Sequence, residues 1–259
     1  MISLMLMMEN KLEDNMDFLK EDESLDDLEL NGIKIIQKKY GFRFGVDAVL
    51  LANFAKVKKG FRVIDMCTGT GIIPFIIAGK TEAYYITGLE IQKDMVEMAD
   101  RSVKLNNLQH RINFIHGDLK DKKLLKSIEK ANVVTVNPPY KLGGAGIKNS
   151  EDALAIARHE ICCNLEDVIA AARILLKDNG RFYMIHRPER LIDIFCLMRK
   201  YKIEPKRVRM IHPNKDKAPT MVLIEGQRDG GAFLKWDNPL YVYDENGRYS
   251  EEIERIYGR

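Results

Sequence analysis

Between Gly60 and His186 the sequence alternates short apolar runs, rich in β-branched residues, with longer segments of helical periodicity. Strands separated by helices at this spacing form a parallel sheet through right-handed crossovers. The predicted strands of this part are 62–65, 84–90, 112–116, 133–136 and 181–186. Two more, 206–211 and 220–225, complete a predicted α/β fold: a mostly parallel, seven-stranded Rossmann-like sheet with helices on both faces.

The chain around this unit divides by composition. Ten acids stand against two lysines between Glu9 and Glu29, which is typical of a disordered segment. Asn31-Gly32 supplies the two positive φ angles of a type I′ turn between strands 28–30 and 33–37, and Asp47 is a candidate N-cap for a short helix. We therefore predict an acidic leader (1–27), a hairpin and helix extension (28–59), the main domain (60–227) and a C-terminal tail (228–259).

Charge and cysteine usage indicate which partners and which cellular compartment the sequence fits. Residues 9–29 carry −8 within a chain of net charge +3, so the remainder carries +11, enough to suggest a polyanionic partner. The four cysteines show neither metal-ligand spacing nor a disulfide pattern, and the five histidines do not cluster, which favours a reducing cytoplasm and no metal. No apolar run approaches the roughly 20 residues that span a bilayer, so we predict no membrane association.

The run VVTVNPPY, residues 133–140, places chemistry at a strand end. Two successive prolines cannot continue a central strand, so the chain must leave the sheet at Asn137. Ligands of open α/β sheets bind at that edge. An amide, backbone carbonyls and the Tyr140 ring suit recognition of a planar amino group.

The loops after the first three strands indicate a cofactor. Gly69 and Gly71 let the backbone approach a ligand closely, while Glu90 can accept both hydroxyls of a ribose and Asp118 an adenine amino group. Acids at three strand ends suit the cationic S-adenosylmethionine better than a dinucleotide with its pyrophosphate. The predicted cofactor contacts are Asp65, Cys67, Thr68, Gly69, Gly71, Glu90, Ile91, Asp118, Leu119 and Asn137.

Several segments together carry a family resemblance. They read IIQKKYGFRFGVDAVLLA, DMCTGTGIIP, GLEIQ, GDL, VNPPY, AIARHE, HRPERL and EPKRVRMIHP. The chain resembles class I S-adenosylmethionine-dependent methyltransferases with an NPPY motif, and most of all the bacterial family that methylates adenine N6 next to the anticodon of a valine tRNA. One departure is Cys67, at a position that is often glycine in this loop.

The resemblance implies roles for the NPPY residues, Asn137, Pro138, Pro139 and Tyr140. The Asn137 side chain and the Pro138 carbonyl would hold the target amine, and Tyr140 would stack on the base. Alignment of the amine with the methyl donor supplies proximity and orientation, and the chemistry needs neither a strong base nor a metal.

A basic segment points to the RNA. Residues 181–217 hold eleven Lys or Arg against four acids and border the proposed site. Residues on a strand alternate between faces, so Arg207 and Arg209 should share one face. The predicted phosphate ligands are Arg187, Arg190, Lys206, Arg207 and Arg209.

Other readings stay open at this point. NPPY also fits a protein-glutamine N5-methyltransferase, although such enzymes usually carry a sizeable helical domain in front, or a DNA adenine methyltransferase. A nucleotide-binding module without activity is a third reading, against which the intact NPPY motif argues.

Overall fold

The computed structural model describes residues 18–40, 45–139 and 164–259 of the chain. The strands in these ranges are β1 (Glu23–Asp27), β2 (Lys34–Lys38), β3 (Arg62–Met66), β4 (Tyr85–Glu90), β5 (Ile112–His116), β6 (Ala131–Val136), β7 (Leu176–His186), β8 (Ile203–His212), β9 (Met221–Arg228), β10 (Lys235–Trp236) and β11 (Leu240–Tyr241). The helices are α1 (Val46–Phe54), α2 (Ile72–Lys80), α3 (Lys93–Leu105), α4 (Lys122–Ser127), α5 (Leu165–Leu175), α6 (Leu191–Lys200), preceded by a 3-10 turn (Pro188–Arg190), and α7 (Glu251–Tyr257).

The main sheet has the order β10-β8-β9-β7-β6-β3-β4-β5, and β11 also pairs with β8. All pairs are parallel except those of β9, which is antiparallel to both β7 and β8. From the central β3 the chain first builds outward through β4 and β5, and then returns to build the other half from β6. The crevice between β3 and β6 is therefore a topological switch point, where open α/β sheets bind ligands.

The predicted fold class is confirmed: seven long strands, mostly parallel, lie between two helical layers. Buried side chains form one apolar core beneath α1, α2 and α7 and a second beneath α5 and α6. Strands buried on both faces read as continuous apolar runs, which is why β3 and β6 could be placed from sequence. The short strand β10 was not predicted as part of the sheet.

The N-terminal hairpin is present, but the segment of sequence that connects its two strands is longer than predicted. Asn31 and Gly32 have φ of 52° and 73°, as the predicted turn requires. However, β1 pairs with β2 antiparallel at Glu23–Asp27, inside the predicted leader, and residues 28–33 form the connection. The boundary of the leader at residue 27 is thus wrong, because the acidic run ends in a paired strand. Most of the leader lies outside the described residues.

Long-range polar contacts hold the hairpin on α3. The Glu23 carboxylate, 2% exposed, accepts two bonds from the Arg101 guanidinium at 2.6 and 2.7 Å. The Ile36 amide of β2 donates to the Ser102 hydroxyl at 2.9 Å, and the Lys34 amide donates to Asn106 at 2.9 Å. The helix therefore satisfies backbone groups along the open edge of β2, which a two-stranded hairpin would otherwise leave exposed.

The predicted tail is part of the folded unit. Leu240 and Tyr241 pair in parallel with Ile211 and His212 of β8, and Ile253 of α7 is fully buried. No helix in the three described ranges is long and apolar enough to cross a membrane.

Candidate active site at the switch point of the sheet

The register brings three strand ends to one level. Met66 of β3 pairs with Leu89 of β4 on one side and with Val136 of β6 on the other. The residues that follow these strands must therefore meet at the switch point, which is the arrangement predicted for the glycine loop, Glu90 and Asn137.

The loop between β3 and α2 depends on positive φ angles. Cys67, Gly69 and Gly71 have φ of 54°, 57° and 86°. A Cβ at Gly71 would come within 2.4 Å of the Phe114 ring, whereas a Cβ at Gly69 would have no neighbour within 4 Å. Gly71 is thus required by packing, and Gly69 borders open space at the crevice.

Cys67 carries a left-handed conformation that favours glycine. We expect Cys67→Gly to stabilise the protein by about 0.5–1 kcal/mol, because relief of the steric cost exceeds the entropy that glycine loses on folding. Urea unfolding measures this change. Cys196→Gly in helix α6 is the matched control and should destabilise by about 1 kcal/mol. Equal losses for both variants would contradict the assignment of strain to Cys67.

Asp65 lies beneath the loop rather than in the crevice. It is 0% exposed, and its two carboxylate oxygens accept hydroxyl bonds from Thr68 and Thr135, both at 2.6 Å. The prediction that Asp65 contacts the cofactor directly is therefore wrong: its side chain ties the loop to β6. Burial raises the pKa of Asp65 from 3.8 to about 7, against the two hydroxyl bonds, which lower it.

This raised pKa predicts a pH-dependent stability. The native carboxyl holds its proton up to about pH 7, whereas the unfolded chain loses it near 3.8. The native state binds the extra proton between these values, so the unfolding free energy should fall as pH rises and level off above pH 7. Urea unfolding of wild type and Asp65→Asn should diverge by about 2–3 kcal/mol between pH 5 and pH 7. Parallel curves would contradict the shift.

Glu90 ends β4 with its carboxylate held by backbone amides. One oxygen accepts from the Gly69 amide at 2.9 Å, and the other from the Ile91 and Gln92 amides, both at 3.1 Å. These donors fix the carboxylate against the glycine loop. Each oxygen has more than one lone pair and can accept a further bond from a ligand hydroxyl.

Asp118 and Leu119 follow β5 at the same edge. The Asp118 carboxylate accepts the Lys120 amide at 2.8 Å and is 37% exposed, while Leu119 is buried. An accessible acceptor beside an apolar side chain is the pattern predicted for an adenine site. Contacts of Asp118, Leu119 and Ile91 with a cofactor remain predictions.

Asn137 is the first residue after β6, as predicted. Its side-chain amide nitrogen donates to Asp47 Oδ2 at 3.0 Å. Asp47 is not the predicted N-cap: α1 begins at Val46, its N-cap is Gly45, and Asp47 stands in the first turn. Pro138 is buried and Pro139 half-buried, and Tyr140 lies outside the described residues.

Sequence reasoning missed three side chains of the site. Thr135 and Asp47 contact the predicted residues as given above, and Gln37 of the hairpin donates to the Thr70 hydroxyl at 2.5 Å. Gln37 and Asp47 stood in a segment that carried the family resemblance, and Thr135 directly preceded one. The contacts of Gln37 and Thr135 cross 33 and 70 residues of sequence and have no local signal.

The two arginines of β8 are structural. The Arg207 guanidinium binds Glu225 at 2.7 Å, Asp237 at 3.1 Å and the Phe54 carbonyl at 2.9 Å, and it stacks on the Phe54 ring at 3.7 Å. Arg209 binds Glu252 through two bonds of 2.7 Å. The two share one face and line the same cavity of about 420 Å³, as the strand alternation predicted. Their role as phosphate ligands is wrong, since carboxylates already hold both groups.

The other basic candidates make contacts in more exposed surroundings. Lys206 donates to the carbonyls of Gly231 and Ala232, and Arg190 forms an exposed ion pair of 2.7 Å with Asp193. Arg187 donates to the Thr220 carbonyl at 3.1 Å. Contacts of these three side chains with RNA remain predictions. Among the described residues, no group of three or more His, Cys, Asp or Glu could hold a metal ion.

Known proteins share both the sequence and the fold. A family model described as a methyltransferase domain matches residues 57–247. A protein of Parabacteroides distasonis named tRNA1(Val) (adenine(37)-N6)-methyltransferase is 28% identical over 84% of this chain and 90% of its own length. A protein of the same name from Tolumonas auensis is 25% identical, over 85% and 90%.

Among solved structures, a predicted O-methyltransferase of Agrobacterium tumefaciens superimposes with a TM-score of 0.66 at 21% identity, covering 82% of this chain and 95% of that one. At this identity the likeness shows the fold.

Proposed function

This chain belongs to the methyltransferase domain family, and from that premise we propose that it transfers a methyl group from S-adenosylmethionine to the exocyclic N6 of adenine in tRNA. The adenine is the one beside the anticodon of a valine tRNA, as the names of its relatives indicate. The observation that carries the proposal is Asn137: a half-buried amide directly after β6, next to the glycine loop after β3.

The crevice suits S-adenosylmethionine. The carboxylates of Glu90 and Asp118 are acceptors only, which matches ribose hydroxyls and an adenine amino group and opposes phosphates. Gly69 leaves open space where the loop would meet a ligand. Asp65 contributes by holding Thr68, and Leu119 offers an apolar side chain to a ring. Bound there, the cofactor supplies an electrophilic methyl group on a sulfonium.

Glu90→Gln tests the cofactor site. The carboxylate offers charge-assisted bonds to ribose, each worth about 1.5–3 kcal/mol. Because a glutamine amide has only one oxygen, its NH2 group would also face at least one of the three backbone N–H donors. Calorimetry with S-adenosylhomocysteine should show an affinity at least about 10-fold lower. Glu97→Gln on the exposed side of α3 is the control, and an unchanged affinity in Glu90→Gln would remove the residue from the site.

The acceptor side needs hydrogen-bond acceptors rather than a strong base. The lone pair of an aromatic amino group is delocalised into its ring. Bonds from its two N–H groups to the Asn137 side-chain oxygen and the Pro138 carbonyl favour a pyramidal, more nucleophilic nitrogen. After transfer the methylated nitrogen loses one proton to water. Tyr140 would hold the base through its π-face.

The alternatives have less support. A protein-glutamine methyltransferase of the usual kind carries a helical domain in front, whereas the part of this chain described before β3 consists of a hairpin and α1. We also propose a cytoplasmic setting, an acidic leader that ends before Glu23, and phosphate contacts through Arg187, Arg190 and Lys206.

The decisive experiment identifies the product. The protein is incubated with methyl-labelled cofactor and, separately, with unmodified total tRNA, DNA or protein, and each product is digested to its units. We expect label in N6-methyladenosine from tRNA, at a single site in the valine acceptor. Label in N5-methylglutamine or in deoxyadenosine alone would overturn the proposal.

A further inference from the structure

We propose that Asp47 is a positioning residue that holds the Asn137 amide with its carbonyl oxygen towards the acceptor amine. The inference rests on the proposed function for the nature of that amine. It begins from one contact, the bond of 3.0 Å from Asn137 Nδ2 to Asp47 Oδ2.

A carboxylate decides which way the amide faces. The two ends of an asparagine side chain have nearly the same shape, so packing alone distinguishes them poorly. Asp47 accepts hydrogen bonds and donates none, so only the NH2 end of Asn137 can face it. The Oδ1 end then points away from Asp47, where it can accept a bond from a substrate.

The position of Asp47 in the fold fixes the orientation of the Asn137 amide. Asp47 lies in the first turn of α1, and the residues that follow it, Ala48, Val49, Leu50 and Leu51, are buried in the core. Asn137 is fixed by its strand on one side and by the buried Pro138 on the other. Two elements that lie 90 residues apart in sequence therefore set one side-chain amide.

The charge of Asp47 adds to the orientation. A bond to an ionised acceptor is roughly twice as strong as a neutral one, and it polarises the amide, so that Oδ1 becomes a better acceptor. The acceptor nitrogen gains positive charge as the methyl group adds. The Asp47 carboxylate, separated from this nitrogen by the Asn137 side chain, provides a negative charge that favours the change.

The orientation also selects the substrate atom. With Asn137 Oδ1 and the Pro138 carbonyl both accepting, the site fits a nitrogen that carries two hydrogens. A ring nitrogen, which offers a lone pair without such hydrogens, would leave both oxygens without a donor. Asp47 thus favours methylation of an exocyclic amine over a ring nitrogen of the same base.

Asp47→Ala and Asp47→Asn separate orientation from charge. Alanine removes the acceptor, whereas asparagine keeps a neutral acceptor oxygen. With a valine tRNA transcript at saturation, we expect kcat to fall about 100-fold in Asp47→Ala, as for a misplaced reacting group. The kcat of Asp47→Asn should be about tenfold higher than that of Asp47→Ala. The affinity for S-adenosylhomocysteine should stay within twofold of wild type in both variants. Glu251→Ala, an exposed acid in the first turn of α7, is the control for loss of a helix N-terminal charge.

A second readout does not depend on activity. In protein labelled with ¹⁵N-asparagine, the Asn137 NH2 signals should shift in Asp47→Ala and stay near wild type in Asp47→Asn. Asp47→Ser, whose side chain is too short to reach Asn137, replaces Asp47→Ala if that variant unfolds.

The possible failures are distinct. Wild-type kcat and wild-type Asn137 signals in Asp47→Ala would overturn this inference, as would equal losses in Asp47→Ala and Asp47→Asn. Absence of N6-methyladenosine with the wild-type enzyme would overturn the proposed function, while the asparagine signals would still test the role of Asp47.

Discussion

Asn137→Ala is expected to lower kcat by about 10²–10³-fold, the usual cost of removing one preorganised polar group from a reaction centre. The alanine side chain provides no acceptor for the amine, so the nitrogen lone pair stays delocalised in the ring and the nucleophile is no longer aligned. The change should appear in kcat measured with tRNA at saturation, in single-turnover reactions that separate chemistry from product release.

Cofactor affinity distinguishes this result from a general defect. In the proposed site Asn137 contacts the acceptor amine, so S-adenosylhomocysteine should bind the variant within a few-fold of wild type. Asn246→Ala in an exposed turn is the matched control and should keep wild-type kcat. Wild-type turnover in Asn137→Ala would remove the acceptor site from the end of β6.

Arg207→Ala is expected to destabilise the protein by about 3–5 kcal/mol, the usual cost of removing one partner from a buried ion pair. The Arg207 side chain is 14% exposed and that of Glu225 is 9% exposed, so the carboxylate would keep its bond of 3.1 Å from Arg181 but lose the shorter bond from Arg207 in a place with little water. The stacking on Phe54 and the bond to the Phe54 carbonyl would be lost as well. Urea unfolding measures the change.

The neighbouring lysine provides the control. Lys206→Ala removes an exposed group from the same strand and should alter stability by about 0.5 kcal/mol or less. If Arg207 instead bound RNA phosphate, its loss would lower the slope of log K against log salt by roughly 0.7–0.9 while stability stayed unchanged. That outcome would restore the assignment that the ion pairs contradict.

These arginines illustrate how far the sequence alone could lead. Alternation along β8 correctly placed Arg207 and Arg209 on one face, because the period of a strand is local. Which face is buried depends on α1 and on residues 235–255, which are remote in sequence. From sequence the basic run therefore looked like an RNA-binding surface. In the fold, Arg207 and Arg209 form ion pairs with Glu225, Asp237 and Glu252.

The site was predictable where one strand end determined it. Two prolines stopped β6 at Asn137, and glycines marked the loop after β3, because both signals act on the local backbone. Asp65 was misplaced, since an acid at a strand end looks the same whether it faces a crevice or lies beneath it. The start of β1 was missed for a related reason. Its acidic composition masks a strand, and the Arg101 guanidinium that binds the buried Glu23 lies on a helix 78 residues away in sequence.

The parallel pairing of β11 with β8 bears on how the chain folds during synthesis. The ribosome releases β8 and β9 before β10, β11 and α7, so the outer edge of β8 first emerges as a long strand with open backbone groups. Such an edge can pair with another nascent chain. The two short strands then blunt it, and Arg209 joins it to Glu252 of α7. The edge of β8 therefore stays open until residues 235–257 have left the ribosome, and association between nascent chains through this edge should be greatest just before that point.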